Sequence, residues 1–338
     1  MVLDAATGRE LAHLSANGAV VTAIADGRGG WFVGGSFTRL GGQHRVAVAH
    51  LMASGTVDPN WHPSIGSASG RPVAVYALAR AGARLFVGGP FGRVGGLPRA
   101  GLAALDTRTG TVVWKWLPVP RAWLDVGTLA VAGKRLFVAR NWNYPVPGIT
   151  ALDTDTGRVD RRWNPHLLLI GDAGSFNSLR PFAGRVYVAG SFHTVGLRRN
   201  GLVAVDAHDG KPDPRWAPQT QNCSVCNGFA VLYDVAVTVR RIYVSGAFGR
   251  INGVARDGIA ALDPRTGSTD RGWAPARGGN DVLRLALAGS RLYLGGLSGL
   301  SALDARTGAA IRLPPNHGPG QSLALAVSGG RLLVGGRT

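Results

Sequence analysis

The chain has 338 residues, of which 45% are hydrophobic, and its 51 glycines are about twice the usual share. No stretch approaches about 18 uninterrupted apolar residues, so the sequence predicts no membrane insertion. Lysine and arginine number 37 against 19 acidic residues, which leaves a formal charge of +18. A charge of this size attracts polyanions at long range, although an arginine excess spread over the whole surface would need no dedicated ligand. Both interpretations stay open.

In chain order, a strand-like segment recurs seven times, with copies that begin at Trp31, Arg84, Arg135, Arg185, Arg241, Arg291 and Arg331. A turn segment alternates with it and also occurs seven times. In this segment leucine or valine precedes aspartate, and glycine follows four residues after the aspartate; the copy at Leu51 is degenerate. The copies begin at Leu3, Leu51, Leu105, Leu152, Val205, Leu262 and Leu303. The chain starts with a turn segment and ends with a strand segment, so the two ends together complete one unit.

Each unit is predicted to contain four strands, the last of which follows the turn. In the turn that starts at Asp106, the aspartate can accept backbone hydrogen bonds and Gly110 can adopt a positive φ. Units recur about 40 to 57 residues apart, which is the size of a four-stranded propeller blade. We therefore predict an all-β fold, a single seven-bladed β-propeller of four-stranded blades over residues 1–338. Its closing blade would combine residues 321–338 with residues 1–16, and closure would remove exposed sheet edges.

Five units carry a tryptophan six residues after the turn glycine, followed two residues later by proline. The tryptophans are Trp61, Trp116, Trp163, Trp216 and Trp273. A large flat side chain at one fixed place per blade is typical of a wedge between neighbouring sheets. The alternative is a row of sugar-stacking platforms. We expect the wedge.

The repeat is most complete over residues 87–110, with variants that begin at Val33, Val188 and Val244. It resembles the bacterial delta-sixty-type β-propeller repeats, a domain family of unassigned function in secreted and surface proteins. The resemblance covers the whole chain and implies a propeller fold, but it implies no activity, because the shared residues are those of strands and turns.

A weaker similarity connects one unit with quinoprotein-type propeller repeats. The matching residues are Ala104, Asp106, Thr109, Gly110 and Trp114. The other units place tryptophan two residues later, and the chain has no vicinal cysteine pair. This similarity therefore implies a shared repeat design and no quinone cofactor.

The two cysteines, Cys223 and Cys226, form one Cys-x-x-Cys motif. A zinc site would need a second ligand pair, and a thioredoxin-type motif would need a βαβ context, which this strand-rich chain lacks. We expect a disulfide bond within one long loop, which favours an oxidising compartment. The sequence begins inside a repeat without a signal peptide, so an excised mature domain and a cytosolic start both stay open. We predict an extracellular or cell-surface location.

Candidate binding residues lie in the loops that vary most between units. Four arginines recur in the loops between the second and third strands, namely Arg45, Arg99, Arg199 and Arg256. They could form a rim for an anionic glycan or another polyanion, or they could pair with neighbouring aspartates or carbonyl groups.

Carboxylates and histidines give two further candidate sites. Asp125, Asp172, Asp234 and Asp281 lie near the predicted starts of innermost strands, where they could bind Ca²⁺ or act as strand caps. His62, His166 and His317 occur at similar places in three loops and are expected to be solvated rather than metal-bound. Of these we select Asp125 and Asp281 as ligand-binding residues, and we predict no resident cofactor.

The sequence contains no nucleophile motif, no phosphate-binding loop and no zinc-protease motif. We therefore predict a monomeric, non-catalytic binding or scaffold module of an exported or surface bacterial protein, with its site on the long-loop face. The alternative is a propeller-fold lyase or hydrolase that acts on an acidic polysaccharide. The chain has no basic run and no recognised nucleic-acid module, so we expect no specific nucleic-acid partner.

Overall fold

The computed structural model describes residues 1–67, 70, 72–118, 126–140, 148–169, 174–194, 197–221, 230–275, 281–315 and 320–337. For residues 168–169, 194 and 197–199 it describes the backbone alone. Every regular element in these ranges is a β-strand, which confirms the all-β prediction. The chain divides into two compact units. The first contains Met1–Arg140, Ala151–Asp160 and Pro314–Thr338, and the second contains Asn141–Thr150 and Arg161–Leu313.

The first unit contains a sheet made from both ends of the chain, which we call the terminal sheet. Its strands, in spatial order, are Glu10–Ala12, Val2–Asp4, Arg331–Arg337 and Gln321–Ser328. Three repeat sheets follow along the sequence. The first contains Val20–Ala25, Trp31–Gly35 and Val48–Leu51, and the second Ala77–Ala81, Arg84–Gly88 and Leu102–Asp106. The third contains Val126–Ala132, Arg135–Arg140 and Gly148–Asp153, whose last three residues belong to this unit.

The second unit contains three further repeat sheets. The fourth repeat sheet is built from Ser175–Phe182, Arg185–Thr194 and Leu197–Asp206, and Leu167–Leu169 pairs with its middle strand. The fifth contains Val231–Val237, Ile242–Ala247 and Ile259–Leu262. The sixth contains Val282–Ala288, Arg291–Gly296, Gly299–Asp304 and Ala310–Ile311.

Short strands connect the second and third strands of several sheets. In the first unit Arg39–Leu40 pairs with Gln43–His44, and Arg93–Val94 pairs with both Ile65–Gly66 and Leu97–Pro98. In the second unit Arg250–Ile251 pairs with Thr220–Gln221 and with Val254–Ala255. These hairpins carry the loops in which the sequence places the recurrent arginines.

The register between second and third strands is the same in sheets from both units. Arg84 lies opposite Asp106, Arg185 opposite Asp206, and Arg291 opposite Asp304. In the terminal sheet Arg331 lies opposite Asp4, although these residues come from opposite ends of the chain. The terminal sheet therefore has the strand pairing of a single continuous repeat.

The turn after the third strand has the chemistry that the sequence predicts. The Asp106 carboxylate accepts hydrogen bonds from the backbone N–H groups of Arg108 and Thr109 and from the Thr109 hydroxyl, at 2.9, 2.8 and 3.0 Å. Gly110 has a φ of 74° and donates its N–H to the Asp106 carbonyl. Thr7, Thr156, Thr266 and Thr307 likewise donate to the aspartate three residues earlier.

The fourth strand is shorter than predicted in several sheets. In the second repeat sheet the segment predicted as strand 112–116 contributes one bridge pair, between Leu105 and Val112. In several repeats an aspartate three residues before the tryptophan binds backbone N–H groups at the turn that follows, as Asp58 does with Asn60 and Asp213 with Arg215. The second repeat has Val113 at this position, and its turn is closed by the Trp116 N–H, which donates to the Val113 carbonyl oxygen at 3.0 Å. The terminal and sixth sheets have a regular fourth strand.

The recurrent tryptophans form the core between neighbouring sheets, as the wedge interpretation predicts. All five are at most 3% exposed. Four donate their indole N–H to the carbonyl oxygen of the turn aspartate in the next sheet along the chain: Trp61 to Asp106, Trp116 to Asp153, Trp163 to Asp206 and Trp216 to Asp263. Because each indole packs on one sheet and binds the next, it fixes the spacing between them.

Candidate functional site

Two of the four predicted rim arginines are buried, with 7% exposure each for Arg45 and Arg99. The Arg45 guanidinium donates to the carbonyl oxygens of His44 and Asp58, both at 2.8 Å, and to the Gln43 side chain at 2.8 Å. Arg99 donates to the carbonyl oxygens of Pro98 and Trp114, at 2.8 and 3.1 Å. These guanidinium groups therefore hold the chain that leads to the next tryptophan.

Arg256 repeats this arrangement in the second unit. It is half-buried and donates to the carbonyl oxygens of Ala255, Asp270 and Arg271, at 2.9, 3.2 and 3.3 Å. Arg199 lies in the strand Leu197–Asp206, for which only the backbone is described at this residue. Three of the predicted arginines thus satisfy carbonyl oxygens that would otherwise lack partners.

A second set of arginines, which the sequence analysis did not select, lies two residues after a phenylalanine that recurs in the repeats as Phe37, Phe91 and Phe248. Its members Arg39, Arg93 and Arg250 are exposed and begin the short hairpins. Arg39 and Arg250 each donate one hydrogen bond to their own turn, at the carbonyl oxygens of Gly42 and Gly253. A guanidinium has five N–H donors, so most of their donor capacity faces solvent. The signal in the sequence is the Phe-x-Arg spacing.

The remaining predicted residues are dispersed. Asp281 accepts a hydrogen bond from the Ser298 backbone N–H at 3.2 Å, next to the innermost strand of the sixth repeat sheet. His62 and His166 are exposed. Within the part of the chain that the structure describes, no three histidine, cysteine or acidic side chains lie close enough together to hold a metal ion. Asp125, Asp172, His317, Cys223 and Cys226 lie outside the described residues.

Among the described residues of the second unit, the most deeply buried carboxylate is Asp234, which is 2% exposed. It accepts hydrogen bonds from the Ser178 hydroxyl at 2.6 Å, from Arg180 at 3.0 Å and from the Leu285 backbone N–H at 2.9 Å. These partners lie on the innermost strands of the sheets on either side. Asp234 therefore connects three neighbouring innermost strands.

The charge of Asp234 also compensates a nearby cation. Burial lowers the pKa of the Arg284 guanidinium, the carboxylate of Asp234 opposes that change, and the positive charge of Arg180 adds to it. Both carboxylate oxygens of Asp234 already accept hydrogen bonds within the protein. The carboxylate of Asp234 is thus engaged in contacts with the neighbouring strands.

An ion pair recurs between the start of the second strand and the fourth-strand aspartate. The pairs are Arg135 with Asp160, Arg185 with Asp213, and Arg241 with Asp270, with N–O distances of 3.0, 2.6 and 2.8 Å. The first repeat sheet departs from this pattern, because Gly30 occupies the arginine position. Its aspartate, Asp58, pairs with a different side chain.

That partner is His50, which lies between two carboxylates. Its Nδ1 is 2.8 Å from Asp58 Oδ2 and its Nε2 is 3.0 Å from Asp26 Oδ2. Burial raises the pKa of both aspartates, but the hydrogen bonds from His50 and from backbone N–H groups lower it more, so the net pKa is below the ordinary value. The ring also stacks on Phe32 at 4.7 Å. The cluster replaces the recurrent ion pair.

A cavity of about 190 Å³ lies in the first unit, beside the terminal sheet and the first repeat sheet. Its walls include Val33, Leu40, Leu51 and Leu333, which are buried and apolar, and the backbone of Gly335 and Gly336. His13, Gln321 and Arg337 are exposed residues of its lining. We call this cavity the terminal groove. The sequence gives no direct signal for it, because its walls come from both ends of the chain.

Among the described residues, none forms a helix with the length and apolar character that a membrane crossing requires.

Comparison with known proteins identifies the repeat. The family model described as outer membrane protein assembly factor BamB matches residues 98–336. A model for a β-propeller domain of unknown function, DUF5122, matches residues 26–60. No curated protein sequence matches the chain. These matches support the predicted propeller repeat, whereas the specific delta-sixty family stays a prediction.

Three solved structures resemble the chain over nearly its whole length. The WD40 β-propeller domain of Doa1 has a TM-score of 0.58 at 11% identity, with 97% of this chain and 93% of that chain covered. BamB from Moraxella catarrhalis has a TM-score of 0.51 at 14% identity, with coverages of 96% and 98%. The computationally designed protein Ika8 has a TM-score of 0.56 at 14% identity, with coverages of 97% and 96%. At these identities the similarity shows the fold alone.

Proposed function

The chain belongs to the propeller family described as outer membrane protein assembly factor BamB, and from this premise we propose that it is a monomeric, non-catalytic scaffold or binding module of an exported or cell-surface bacterial protein. The family match over residues 98–336 carries the proposal. The environment of Asp234 supports it, because that buried carboxylate is fully used in joining innermost strands. Turnover of an acidic polysaccharide by the purified chain would overturn the non-catalytic role.

We propose that the ligand is an anionic glycan or another polyanion that binds at the long-loop face. The formal charge of +18 supports this class of ligand. Because Arg45, Arg99 and Arg256 hold carbonyl oxygens, we assign the anion contacts to the exposed arginines Arg39, Arg93 and Arg250. A polymer of phosphate or sulfate groups would bind the arginines of either unit with a steep dependence on salt, since each contact releases counterions.

Retention on a heparin column tests this assignment. The triple variant with glutamine at 39, 93 and 250 should elute at clearly lower salt than the parent. The matched control replaces the exposed turn arginines Arg108, Arg265 and Arg306 with glutamine, which removes the same charge from a different part of each repeat. If both triple variants elute together, general charge attraction explains the retention and the hairpin arginines are not the site.

We further propose that the sheets form seven blades, closed by the terminal sheet. The four sheets of the first unit and the three of the second support this number. The shared register of Arg331 with Asp4 supports a closing blade made from both chain ends.

The disulfide between Cys223 and Cys226 stays a prediction, as do Asp125, Asp281 and Arg199 as ligand contacts. If the carboxylates bind a cation, its chemistry is that of Ca²⁺, which calorimetry with CaCl₂ tests.

A further inference from the structure

The innermost strands of the second unit carry charged side chains, one in each strand. These are Arg180 in Ser175–Phe182, Asp234 in Val231–Val237 and Arg284 in Val282–Ala288. The innermost strands of the first unit carry a single charge, Arg80, which donates to the carbonyl oxygen of Gly82 in its own turn. Charge on a packed strand is costly unless it is paired. The cluster of the second unit is therefore unusual within this repeat.

The strand register places Asp234 and Arg284 at the same point of the repeat. In both strands one residue is passed over by a shift of register, and the next residue pairs with the middle strand, Asp234 with Ser245 and Arg284 with Gly295. The equivalent residues of other sheets are uncharged, namely Thr22, Thr128, Ser178 and Ala324. The repeat thus accepts a small uncharged side chain at this point, so the fold itself does not require an arginine there.

The charges of the cluster do not balance. Asp234 is shared with neighbouring strands, and Arg180 is the cation that contacts it directly. Within the described ranges Arg284 has no carboxylate in ion-pair contact, and its guanidinium donates to the carbonyl oxygen of the adjacent Leu283 at 2.8 Å. Two guanidinium groups therefore share one carboxylate, which leaves one positive charge uncompensated. Arg284 is half-buried, so water compensates this charge only in part.

The cluster keeps free donors that a ligand can reach. The Arg180 side chain is 47% exposed, and Arg284 uses one of its five N–H donors in the contact with Leu283. The planar fork of a guanidinium matches the two oxygens of a carboxylate. A carboxylate also supplies the single negative charge that the cluster lacks. A phosphate monoester carries about 1.5 to 2 negative charges at pH 7, which would leave excess negative charge beside Asp234.

We propose that Arg284, with Arg180 beside it, binds the carboxylate group of a ligand on the innermost strands of the second unit. The ligand neutralises the remaining positive charge, and Asp234 holds Arg180 in place from the other side. This site goes beyond the proposed polyanion role, because it lies on innermost strands and uses none of the hairpin arginines.

Acetate is the probe for this site. Acetate labelled with an NMR-active carbon in its carboxyl group should show saturable line broadening when the full chain is added. Arg284→Gln should weaken this binding at least tenfold. The matched control is Arg240→Gln, which removes the same charge from an exposed bend of the fifth repeat sheet and should leave acetate binding unchanged. Inorganic phosphate at the same ionic strength should displace acetate less effectively than unlabelled acetate does.

Melting temperatures distinguish a ligand site from a structural role of Arg284. If the charge of Arg284 is in excess, Arg284→Gln should melt no lower than the parent in a buffer without carboxylates, and acetate should raise the melting temperature of the parent but not of this variant. No saturable acetate binding by the parent, equal binding by Arg284→Gln, stronger displacement by phosphate, or a melting temperature of Arg284→Gln below that of Arg240→Gln would each overturn the proposal. Heparin retention is measured separately, so either proposal can fail without the other.

Discussion

Trp114 and Trp116 lie two residues apart and have opposite environments. Trp116 is fully buried between neighbouring sheets, whereas Trp114 is 64% exposed. Truncating a buried aromatic side chain costs about 3–5 kcal/mol, so Trp116→Ala should lower the free energy of unfolding by that amount. Trp114→Ala should change it by less than about 0.5 kcal/mol. Urea unfolding of the two variants measures both values, and equal losses would contradict the wedge role of the recurrent tryptophan.

The buried charge of Asp234 is expected to stabilise the second unit. Removing one partner from a buried charge cluster costs about 3–5 kcal/mol, because the remaining charge is left uncompensated. Asp234→Asn keeps the shape of the side chain but removes the charge that compensates Arg180 and Arg284. Thermal unfolding should show a large loss of stability. The control is Asp209→Asn, whose exposed pair with Lys211 should leave the melting temperature unchanged. A stable Asp234→Asn variant would show that the cluster does not need its charge.

The sequence placed the recurrent arginines in the correct loops but could not decide their role. A guanidinium suits a backbone carbonyl oxygen as well as an anion, and only burial distinguishes the two uses. The structure gives carbonyl contacts to Arg45 and Arg99 and leaves Arg39 and Arg93 exposed. The His50 cluster was missed because its partners lie 24 and 8 residues away, one just after the strand Val20–Ala25 and one just after the bridge residue Val57. Side-chain pairing across a sheet is not visible in a spacing pattern.

The recurrent turns should make the stability of the fold depend on pH, because the pKa values of their aspartates are lowered. Burial raises the pKa of Asp153, but the hydroxyl and backbone N–H of Thr156 lower it more, so the net pKa lies below the ordinary 3.8. Asp263 has the same balance with Thr266. A lowered folded-state pKa stabilises the protein above about pH 4, and this stabilisation is lost as the pH falls through the folded-state pKa.

Thr156→Val and Thr266→Val test this mechanism. Each variant removes a hydroxyl that donates to the turn aspartate, at 2.7 and 3.0 Å. Because the turns are largely exposed, we expect a loss of only about 0.5 kcal/mol each at pH 7. The loss should shrink as the pH falls from 7 through the folded-state pKa of the aspartate, because the parent then loses the same stabilisation. Denaturant unfolding at pH 7 and at successively lower pH values measures it. A loss that does not change with pH would rule out the carboxylate as the cause.

Strand positions followed from the sequence because each strand repeats the same alternation and the same turn residues. The second strands at Arg84, Arg135 and Arg291 begin where the pattern predicts. The fourth strands did not follow, because the chain turns after a single bridge pair. The turn is closed by the Asp58 side chain in the first repeat sheet and by a backbone hydrogen bond from Trp116 to Val113 in the second. Local hydrogen bonds at a turn thus interrupt an apolar strand pattern.

At the scale of the whole molecule, the sequence indicated the pairing of the chain ends, because each end carries the half-repeat that the other lacks. Val2–Asp4 and Arg331–Arg337 do pair, in the register of a single repeat. The terminal groove was not predictable in this way. Its walls combine residues of both chain ends with residues of the first repeat sheet, and only folding brings these distant segments together.

The last prediction tests whether the blades close into a ring. Leu3 is fully buried and lies opposite Leu332 in the terminal sheet, so Leu3→Asp should break that pairing. In a closed ring every sheet depends on the terminal sheet, and hydrogen exchange should accelerate in both compact units. In an open array each repeat depends only on its neighbours, and the acceleration should stay within residues 2–12 and 321–337 and the sheet beside them. Leu11→Asp is the matched control, because Leu11 lies in the same sheet but is 42% exposed. Acceleration confined to the terminal sheet and its neighbour in the Leu3→Asp variant would exclude closure as the source of stability.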